Sequence, residues 1–429
     1  MKEITLIFLQ ILFLSIFFSS SFLQLNKKIT TNSLGFFEKT SMNVIMILNI
    51  FLLLSFINID LKIVYLSFFF LNFSLFIINK IKNHTIYKFN IYVSLLILLT
   101  FIISIDLANN LYLGWDAKFF WYLKSLNFYE NQSFENLKNI AAFDYPHFGS
   151  YLWHLFWKYP FNVYEYHGRI FYIFLYTFSI FLLFENLEIN VLKRIILILI
   201  TILVTYSYNI NFSGNQEILV FSLIIIATKY SFYLFYNEKK INRLEIILVI
   251  LGASNLLAWI KNEALFFSLI LIFSLLLTAK LKNNEKIIFI LGSLLIIILK
   301  SLIFWKFQTV LSSFEFQNTF AEINLINILN KIKVIIFYLT VYIIQIPIYL
   351  ILVPVIFFIF FNFKIDNVKL YIFYFALLNF LFIIIAFLFT MQDVEWQARV
   401  GMKRVLFETS GFYLISLLYL IKKMIKFFK

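Results

Sequence analysis

Long apolar runs recur from one end of the chain to the other, and they limit the possible folds more than any other feature. Each run is about 17–25 residues long, the length that an α-helix needs to cross the hydrocarbon core of a bilayer. The runs lack the alternation of barrel strands, and lipid offers no partners for open backbone groups. With 62% hydrophobic residues, the sequence therefore predicts an all-α, polytopic transmembrane helical bundle.

We predict about 13 spans in a single transmembrane domain that covers residues 1–429. The expected bounds are 4–23, 43–59, 62–79, 90–107, 168–184, 195–211, 217–236, 244–260, 264–279, 287–305, 334–361, 370–390 and 406–421. The eleventh span is longer than a bilayer requires. It contains Pro347 and Pro354, which predict a kink or an interfacial turn within it.

Lysine and arginine are concentrated in alternate short loops, which the positive-inside rule places in the cytoplasm. These basic segments lie at 27–39, 80–88, 193–194, 239–243, 280–286, 364–369 and 422–429. Two long loops, 108–167 and 306–333, are consequently predicted to be extracytoplasmic. The net charge of +14 is explained by this topology, so a lipid bilayer is the expected partner and nucleic acid is not.

The first long loop concentrates acidic and aromatic residues at 114–157, and we expect it to carry short interfacial helices and the catalytic group. Asp116 lies just beyond the fourth predicted span, near the membrane surface. A carboxylate there suits a role as general base, and it equally suits the capping of a following helix. Aromatic residues of the loop suit stacking on sugar rings or prenyl carbons; they include Trp115, Trp121, Tyr145 and Trp153.

A second carboxylate, Asp144, lies in the same loop beside Tyr145 and His147. These three residues are candidates for binding the acceptor, the sugar hydroxyls or a divalent cation. The alternative is that Asp144 caps a helix beginning near Pro146. His147 and His154 would share one helical face and form a candidate metal pair. A divalent cation is thus compatible with the site, but we expect the activity of the protein to require no cofactor.

Two outer turns carry charged residues that a short connection does not need. Glu217 begins the seventh predicted span, and Lys261 and Glu263 separate two apolar runs. Charged groups so close to hydrocarbon are costly unless they are paired or functional. We expect Lys261 to approach a phosphate, Glu263 to approach Lys261 or the sugar, and Glu217 to act as a further acid. A simple polar turn is the alternative.

A basic cluster precedes the last span on the outer side, against the general trend. Arg399, Lys403 and Arg404 are spaced to share one side of a helix. Because arginine forks match phosphate oxygens, we predict that Arg399 and Arg404 bind a phosphate group. Binding of anionic lipid headgroups is the alternative.

The order of these motifs resembles the GT-C superfamily of integral-membrane glycosyltransferases. GWD at 114–116 is followed by an aromatic stretch, DYP at 144–146, an acidic turn at 214–217 and KNE at 261–263. The branch that looks most similar comprises lipopolysaccharide sugar transferases, protein mannosyltransferases and the aminoarabinose transferase. The chain departs from protein mannosyltransferases at 116–117, where their Asp-Glu pair is Asp-Ala.

The resemblance implies a bacterial inner-membrane enzyme that takes a sugar from a polyprenyl-phosphate donor. The acceptor would be an envelope glycolipid or protein on the extracytoplasmic face, and Asp116 would be the base of an inverting hexosyl- or pentosyltransferase. A surface-polysaccharide polymerase or ligase is the alternative, since it shares many spans and outer arginines. A transporter is less favoured because few charged residues, such as Lys229 and Lys300, lie within the spans.

Overall fold

A computed structural model describes most of the chain, and all regular structure in that part is helical. The described residues are 2–18, 34–57, 62, 66–67, 69–70, 73–74, 91–131, 133–140, 143, 145–185, 187, 189–206, 212–235, 242–306, 325–362, 366–390 and 393–427. The all-α prediction is therefore confirmed. Most of the predicted span 62–79 and residues 307–324 of the second long loop lie outside the described residues.

The helices are numbered here in chain order. They are α1 (Lys2–Phe17), α2 (Phe36–Ser55), α3 (Ile91–Asn109), α4 (Tyr122–Tyr129), α5 (Phe148–Lys158), α6 (Tyr166–Phe184), α7 (Val191–Tyr206), α8 (Glu217–Tyr233), α9 (Arg243–Ile260), α10 (Asn262–Thr278), α11 (Asn283–Lys306), α12 (Leu325–Gln345), α13 (Pro347–Asn362), α14 (Asn367–Leu388), α15 (Val394–Gln397) and α16 (Lys403–Phe427). Ala117–Trp121 and Ala398–Met402 form π-helical turns, and Phe134–Asn139 forms a 3₁₀-helix.

Within the described ranges, 8 helical segments are long and apolar enough to cross a membrane. They are α2, α3, α6, α9, α11, Asn327–Gln345 of α12, α14 and Val394–Ile421, which includes α15 and most of α16. Helix α10 and Pro347–Ile356 of α13 are shorter apolar helices. The prediction of a polytopic membrane protein is confirmed at this level, and the count of about 13 spans stays a prediction.

The predicted span 334–361 is two helices rather than one. Helix α12 ends at Gln345, and α13 begins at Pro347. Proline has no N–H to donate to the preceding turn, so it interrupts a helix but is well tolerated in the first turn of a new one. Helix α12 also begins at Leu325, so the end of the loop predicted at 306–333 is helical.

Helix α8 lies at the centre of the bundle, where it packs against α6, α9, α10 and α16. Every residue of α6 and nearly every residue of α8 is buried, as expected for helices that are apolar on all faces. Helices α11 and α12 instead leave many large apolar side chains exposed, which suits contact with lipid.

The N-termini of α8, α10 and α16 lie near the C-terminus of α9. A side-chain network among Glu217, Lys261, Arg404 and Glu408 brings these helix ends together. The first long loop reaches the same end of the bundle. In that loop, the π-helical turn and α4 precede α5, which packs against α6. The fold therefore gathers the polar ends of widely separated segments into one place.

Candidate active site

A connected network of charged side chains occupies this end of the bundle. It is called the charge network below and consists of Asp116, Glu217, Lys261, Glu263, Arg404 and Glu408. Asp116 follows α3, Glu217 begins α8, and Lys261 joins α9 to α10. The network contains Glu217, Lys261 and Glu263, the charged residues predicted from the sequence in the two outer turns.

Arg404 joins the exposed part of the network to its buried part. Its Nη2 atom lies 2.5 Å from Oδ2 of Asp116. Its Nε atom donates to Oε1 of Glu217 at 2.6 Å, and Nη2 contacts the same oxygen. The side chains of Arg404 and Asp116 are 26% and 24% exposed, whereas that of Glu217 is 1% exposed. A ligand would therefore meet the arginine and the aspartate first.

Lys261 binds three carboxylates at once. Its Nζ atom lies 3.2 Å from Oε1 of Glu217, 2.7 Å from Oε1 of Glu263 and 2.6 Å from Oε1 of Glu408. An ammonium group has three N–H donors, so these contacts use all of them. In this arrangement Lys261 organises carboxylates and has no N–H left for the phosphate that the sequence analysis assigned to it. The expected contact between Lys261 and Glu263 is present.

Carboxylates outnumber cations in the charge network. The set consists of four carboxylates, those of Asp116 and three glutamates, and two basic side chains. Lys300 is a further buried lysine beside the network. The Nζ atom of Lys300 donates to Oδ1 of Asn262 at 2.9 Å and to the carbonyl oxygen of Ala258 at 2.8 Å. Atoms Oε2 of Glu217 and Glu408 are buried without a hydrogen-bond partner in the described part of the chain. A bound proton or cation would lower the repulsion among these carboxylates.

Two glycines allow the loop before Asp116 to approach the turn before α8. The N–H of Gly114 donates to the carbonyl oxygen of Ser213 at 3.0 Å. A Cβ atom at Gly114 would lie 2.7 Å from Nδ2 of Asn215. Gly214 has φ of +86°, which favours glycine. Side chains at these positions would hold Asp116 away from Glu217.

Arg169 holds the loop before Asp116 and the turn before α8 in place through hydrogen bonds to their carbonyl oxygens. It is fully buried near the start of α6, where Glu165 neutralises it through bonds to Nε at 3.0 Å and Nη2 at 2.9 Å. Its Nη1 atom donates to the carbonyl oxygens of Tyr112 and Phe212, at 3.3 and 3.1 Å. Arg169 was not predicted from the sequence to belong to this site. The sequence feature that could have identified it is an arginine four residues after a glutamate, at the start of an apolar run.

Aromatic residues near Asp116 divide into exposed and buried sets. Trp115 is 62% exposed and Tyr145 is 37% exposed, so both are accessible to a ligand. Trp121 and Trp153 are buried, so neither is available for the stacking on substrate that the sequence suggested. Tyr145 stacks on Phe120 with ring centroids 5.8 Å apart.

Lys124 holds the segment that carries Tyr145. Its buried Nζ atom donates to the carbonyl oxygen of Tyr145 at 2.5 Å. Asp144, the second carboxylate named from the sequence, lies outside the described residues. Its role as an acceptor, sugar or cation ligand therefore stays a prediction.

The structure places His147 among aromatic rings, apart from the charge network. Its Nε2 atom is hydrogen-bonded to Oγ of Ser55 at 2.7 Å, and the rings of Phe56 and Trp259 lie against it. Burial, assisted by Lys124, holds the pKa of His147 well below its usual range. These contacts describe a neutral histidine that packs α5 against α2 and α9.

His154 is also buried, and burial lowers its pKa to about 3. The ring of Phe128 contacts both His154 and His147, with centroids 6.1 and 5.9 Å away. The described residues contain no group of three or more histidine, aspartate or glutamate side chains arranged to hold a metal ion. The histidine pair lacks a third ligand in that part of the chain.

Of the predicted basic cluster, Arg404 alone joins the charge network through the described contacts. Arg399 lies in the π-helical turn before α16, and its carbonyl oxygen accepts a bond from the Tyr342 hydroxyl at 2.8 Å. Its side chain is on the exposed surface. Spacing along an ideal helix suggested one shared phosphate site, but the π-helical turn changes the helical register before Arg404.

Glu408 is the member of the network that sequence reasoning missed. It lies inside the predicted span 406–421, four residues after Arg404, and its side chain is fully buried. An ionisable residue within a span is a signal in itself, because it needs a partner there. The partner, Lys261, is 147 positions away in the sequence.

Comparison of the chain with protein-family models, with curated proteins and with solved structures finds no match. The resemblance to GT-C glycosyltransferases rests on the motifs of this sequence alone.

Proposed function

We propose that this protein is a GT-C-type membrane glycosyltransferase. It would move a sugar from a polyprenyl-phosphate-linked donor to an envelope glycolipid or protein on the extracytoplasmic face of a bacterial inner membrane. The observation that supports this best is the accessible pair formed by Asp116 and Arg404, whose Oδ2 and Nη2 atoms are 2.5 Å apart. A base for the acceptor and a cation for the leaving phosphate are the two groups that this reaction needs.

In the proposed reaction, Asp116 takes the proton of the acceptor hydroxyl as that oxygen attacks the anomeric carbon. The bond between this carbon and the phosphate oxygen breaks, and its electron pair leaves with the polyprenyl phosphate. Attack from the side opposite to the phosphate inverts the configuration at the anomeric carbon. Arg404 stabilises the negative charge on the departing phosphate.

The pairing of Asp116 with Arg404 suggests an order of events. In the described state Arg404 forms an ion pair with Asp116 and occupies its Oδ2 atom. A donor phosphate would compete for Nη2 of Arg404 and free the carboxylate of Asp116 for the acceptor. The buried Glu217 would meanwhile hold Arg404 through its Nε atom. Donor binding would thus prepare the base.

The proposed membrane topology is inferred from the apolar runs and the loop charges of the sequence. About 13 spans cross the bilayer, with the loop 108–167 and the connection before α12 on the outer side. Exposed Trp115 and Tyr145 would contact the sugar or the first prenyl units. No cofactor is required, and a divalent cation near the carboxylates is compatible with the mechanism.

Mass spectrometry of envelope glycolipids and glycoproteins tests this function directly. We expect a strain that lacks the gene to lose one sugar from a defined acceptor, because the proposed reaction adds that sugar. Reintroduction of the intact gene should restore the sugar. An unchanged sugar inventory together with altered uptake or export of a solute would contradict a transferase and support a transporter. Loss of long chains with intact single-sugar additions would support the polymerase.

Replacement of Arg404 by glutamine should weaken donor binding by about 10-fold to 100-fold, because a charged hydrogen bond to the phosphate is lost. Acceptor binding should change much less. Arg399→Gln is the matched control, since Arg399 is exposed and outside the charge network, and its effect should stay within about twofold. Isothermal titration with the lipid-linked donor measures both variants. Equal effects of the two substitutions would show that Arg404 is not the phosphate ligand.

A further inference from the structure

A small cavity lies at the opposite end of α6 from Arg169 and Asp116. It is lined by Phe37, Tyr92, Phe181, Glu185, Arg194 and Ile198. These residues belong to α2, α3, α6 and α7 or lie just beyond them. The cavity shares no residue with the charge network, so its function is independent of the proposed transfer reaction.

Arg194 brings a positive charge to this cavity and has no carboxylate partner among the described residues. Its Nη2 atom donates to the carbonyl oxygen of Leu187 at 2.5 Å, and its guanidinium carbon lies 5.2 Å from the centroid of the Tyr92 ring. Its Nε atom is buried and has no hydrogen-bond partner among the described residues. An arginine with an unused buried N–H and no ion pair in the described segments is suited to an anionic ligand.

Glu185 lines the same cavity, but its carboxylate is used elsewhere. Its two oxygens accept bonds from the N–H groups of Phe37 and Glu38 at 2.9 and 2.7 Å. Burial, and then the negative charge of Glu38, raise the pKa of Glu185 to about 7. Near neutral pH its negative charge is therefore partly lost, and the positive charge of Arg194 dominates the cavity.

The surroundings of the cavity are largely apolar. Phe181 and Ile198 form its walls, and both α3 and α7 expose aliphatic side chains such as Ile102 and Leu203, at 53% and 68%. A free inorganic anion gains little from such walls. A lipid phosphate gains from them, because its acyl chains cover apolar surface while the phosphate meets the arginine.

We propose that this cavity is a binding site for an anionic phospholipid. The lipid phosphate accepts hydrogen bonds from Arg194, including one from Nε, and the acyl chains lie along the exposed faces of α3 and α7. Lys193, the neighbouring exposed basic residue, is outside the cavity lining and contributes only general attraction.

Native mass spectrometry of the purified full chain, with phosphatidylglycerol and phosphatidylcholine as probes, tests the proposal. We expect selective retention of phosphatidylglycerol, and about fivefold weaker retention in Arg194→Gln. Lys193→Gln, the matched control, should change retention by less than about twofold. Arg194→Lys should retain more lipid than Arg194→Gln because it keeps the charge.

Three outcomes would overturn the proposal. They are equal losses in Lys193→Gln and Arg194→Gln, equal retention of both lipids by the intact protein, and displacement of phosphatidylglycerol by inorganic phosphate alone. The last result would identify the free anion as the ligand. If Arg194→Gln does not fold, the salt dependence of retention by the intact protein decides, since purely apolar binding would not weaken as salt rises.

Discussion

Replacement of Lys261 by methionine is expected to lower the free energy of unfolding by about 3–5 kcal/mol, the cost of removing one partner from a buried ion pair. Methionine preserves much of the length of the side chain and removes its charge. Glu217, Glu263 and Glu408 would then face one another without the ammonium that binds all three. Thermal unfolding of the purified protein in detergent measures the change.

Lys300→Met provides the matched control for this substitution. Lys300 is also a buried lysine in the same region, but its bonds in the described structure go to neutral oxygens of Ala258 and Asn262. Its replacement should therefore destabilise the protein less than Lys261→Met. A second substitution, Glu408→Gln, should restore part of the stability lost in Lys261→Met because it removes one buried negative charge. Additive losses in the double variant would contradict the network.

Asp116→Asn is expected to reduce sugar transfer by about 10²-fold to 10⁴-fold, the usual contribution of a positioned general base. Asparagine keeps the shape of the side chain and removes its ability to take a proton. The protein should remain folded, because Asp116 is partly exposed and Arg404 keeps its bonds to Glu217. Turnover of the lipid-linked donor by the purified variant gives the measurement.

Glu395→Gln is a suitable control for Asp116→Asn. Glu395 is an exposed acid before the last helix, and the Tyr338 hydroxyl donates to its Oε1 atom at 3.3 Å. Its substitution should leave turnover within about twofold of the original value. If Asp116→Asn instead retained near-normal turnover while still binding the donor, the base would have to be another acid, with Asp144 or Glu217 as the next candidates.

Several members of the charge network can be identified from the sequence alone. Glu217, Lys261 and Glu263 interrupt apolar runs at their ends, and Asp116 and Arg404 lie next to such ends. Because helices that cross a bilayer alternate in direction, the charges at one set of ends fall on one side of the membrane. The pattern indicates a shared side, and it carries no information about which side chains touch.

Lys261 and His147 contact different groups in the structure from those expected from the sequence. Lys261 was expected near a phosphate, yet packing of α8, α9 and α16 places three carboxylates around it. His147 was expected near substrate, yet it lies in an aromatic environment against Ser55. Both residues are polar and lie in loops or turns of the sequence. Their type and position do not show whether the side chain is buried within the protein or accessible to a ligand.

The length and spacing of the apolar runs were enough to establish an all-helical membrane protein, because lipid leaves few other ways to satisfy the backbone. The same pattern could not reveal that Glu408 reaches Lys261 across 147 positions, or that Arg169 fixes the carbonyl groups of Tyr112 and Phe212. Those contacts depend on which faces of the helices meet and how closely. Side-chain packing within the bundle decides this, and hydrophobic periodicity is nearly the same for every arrangement of apolar helices.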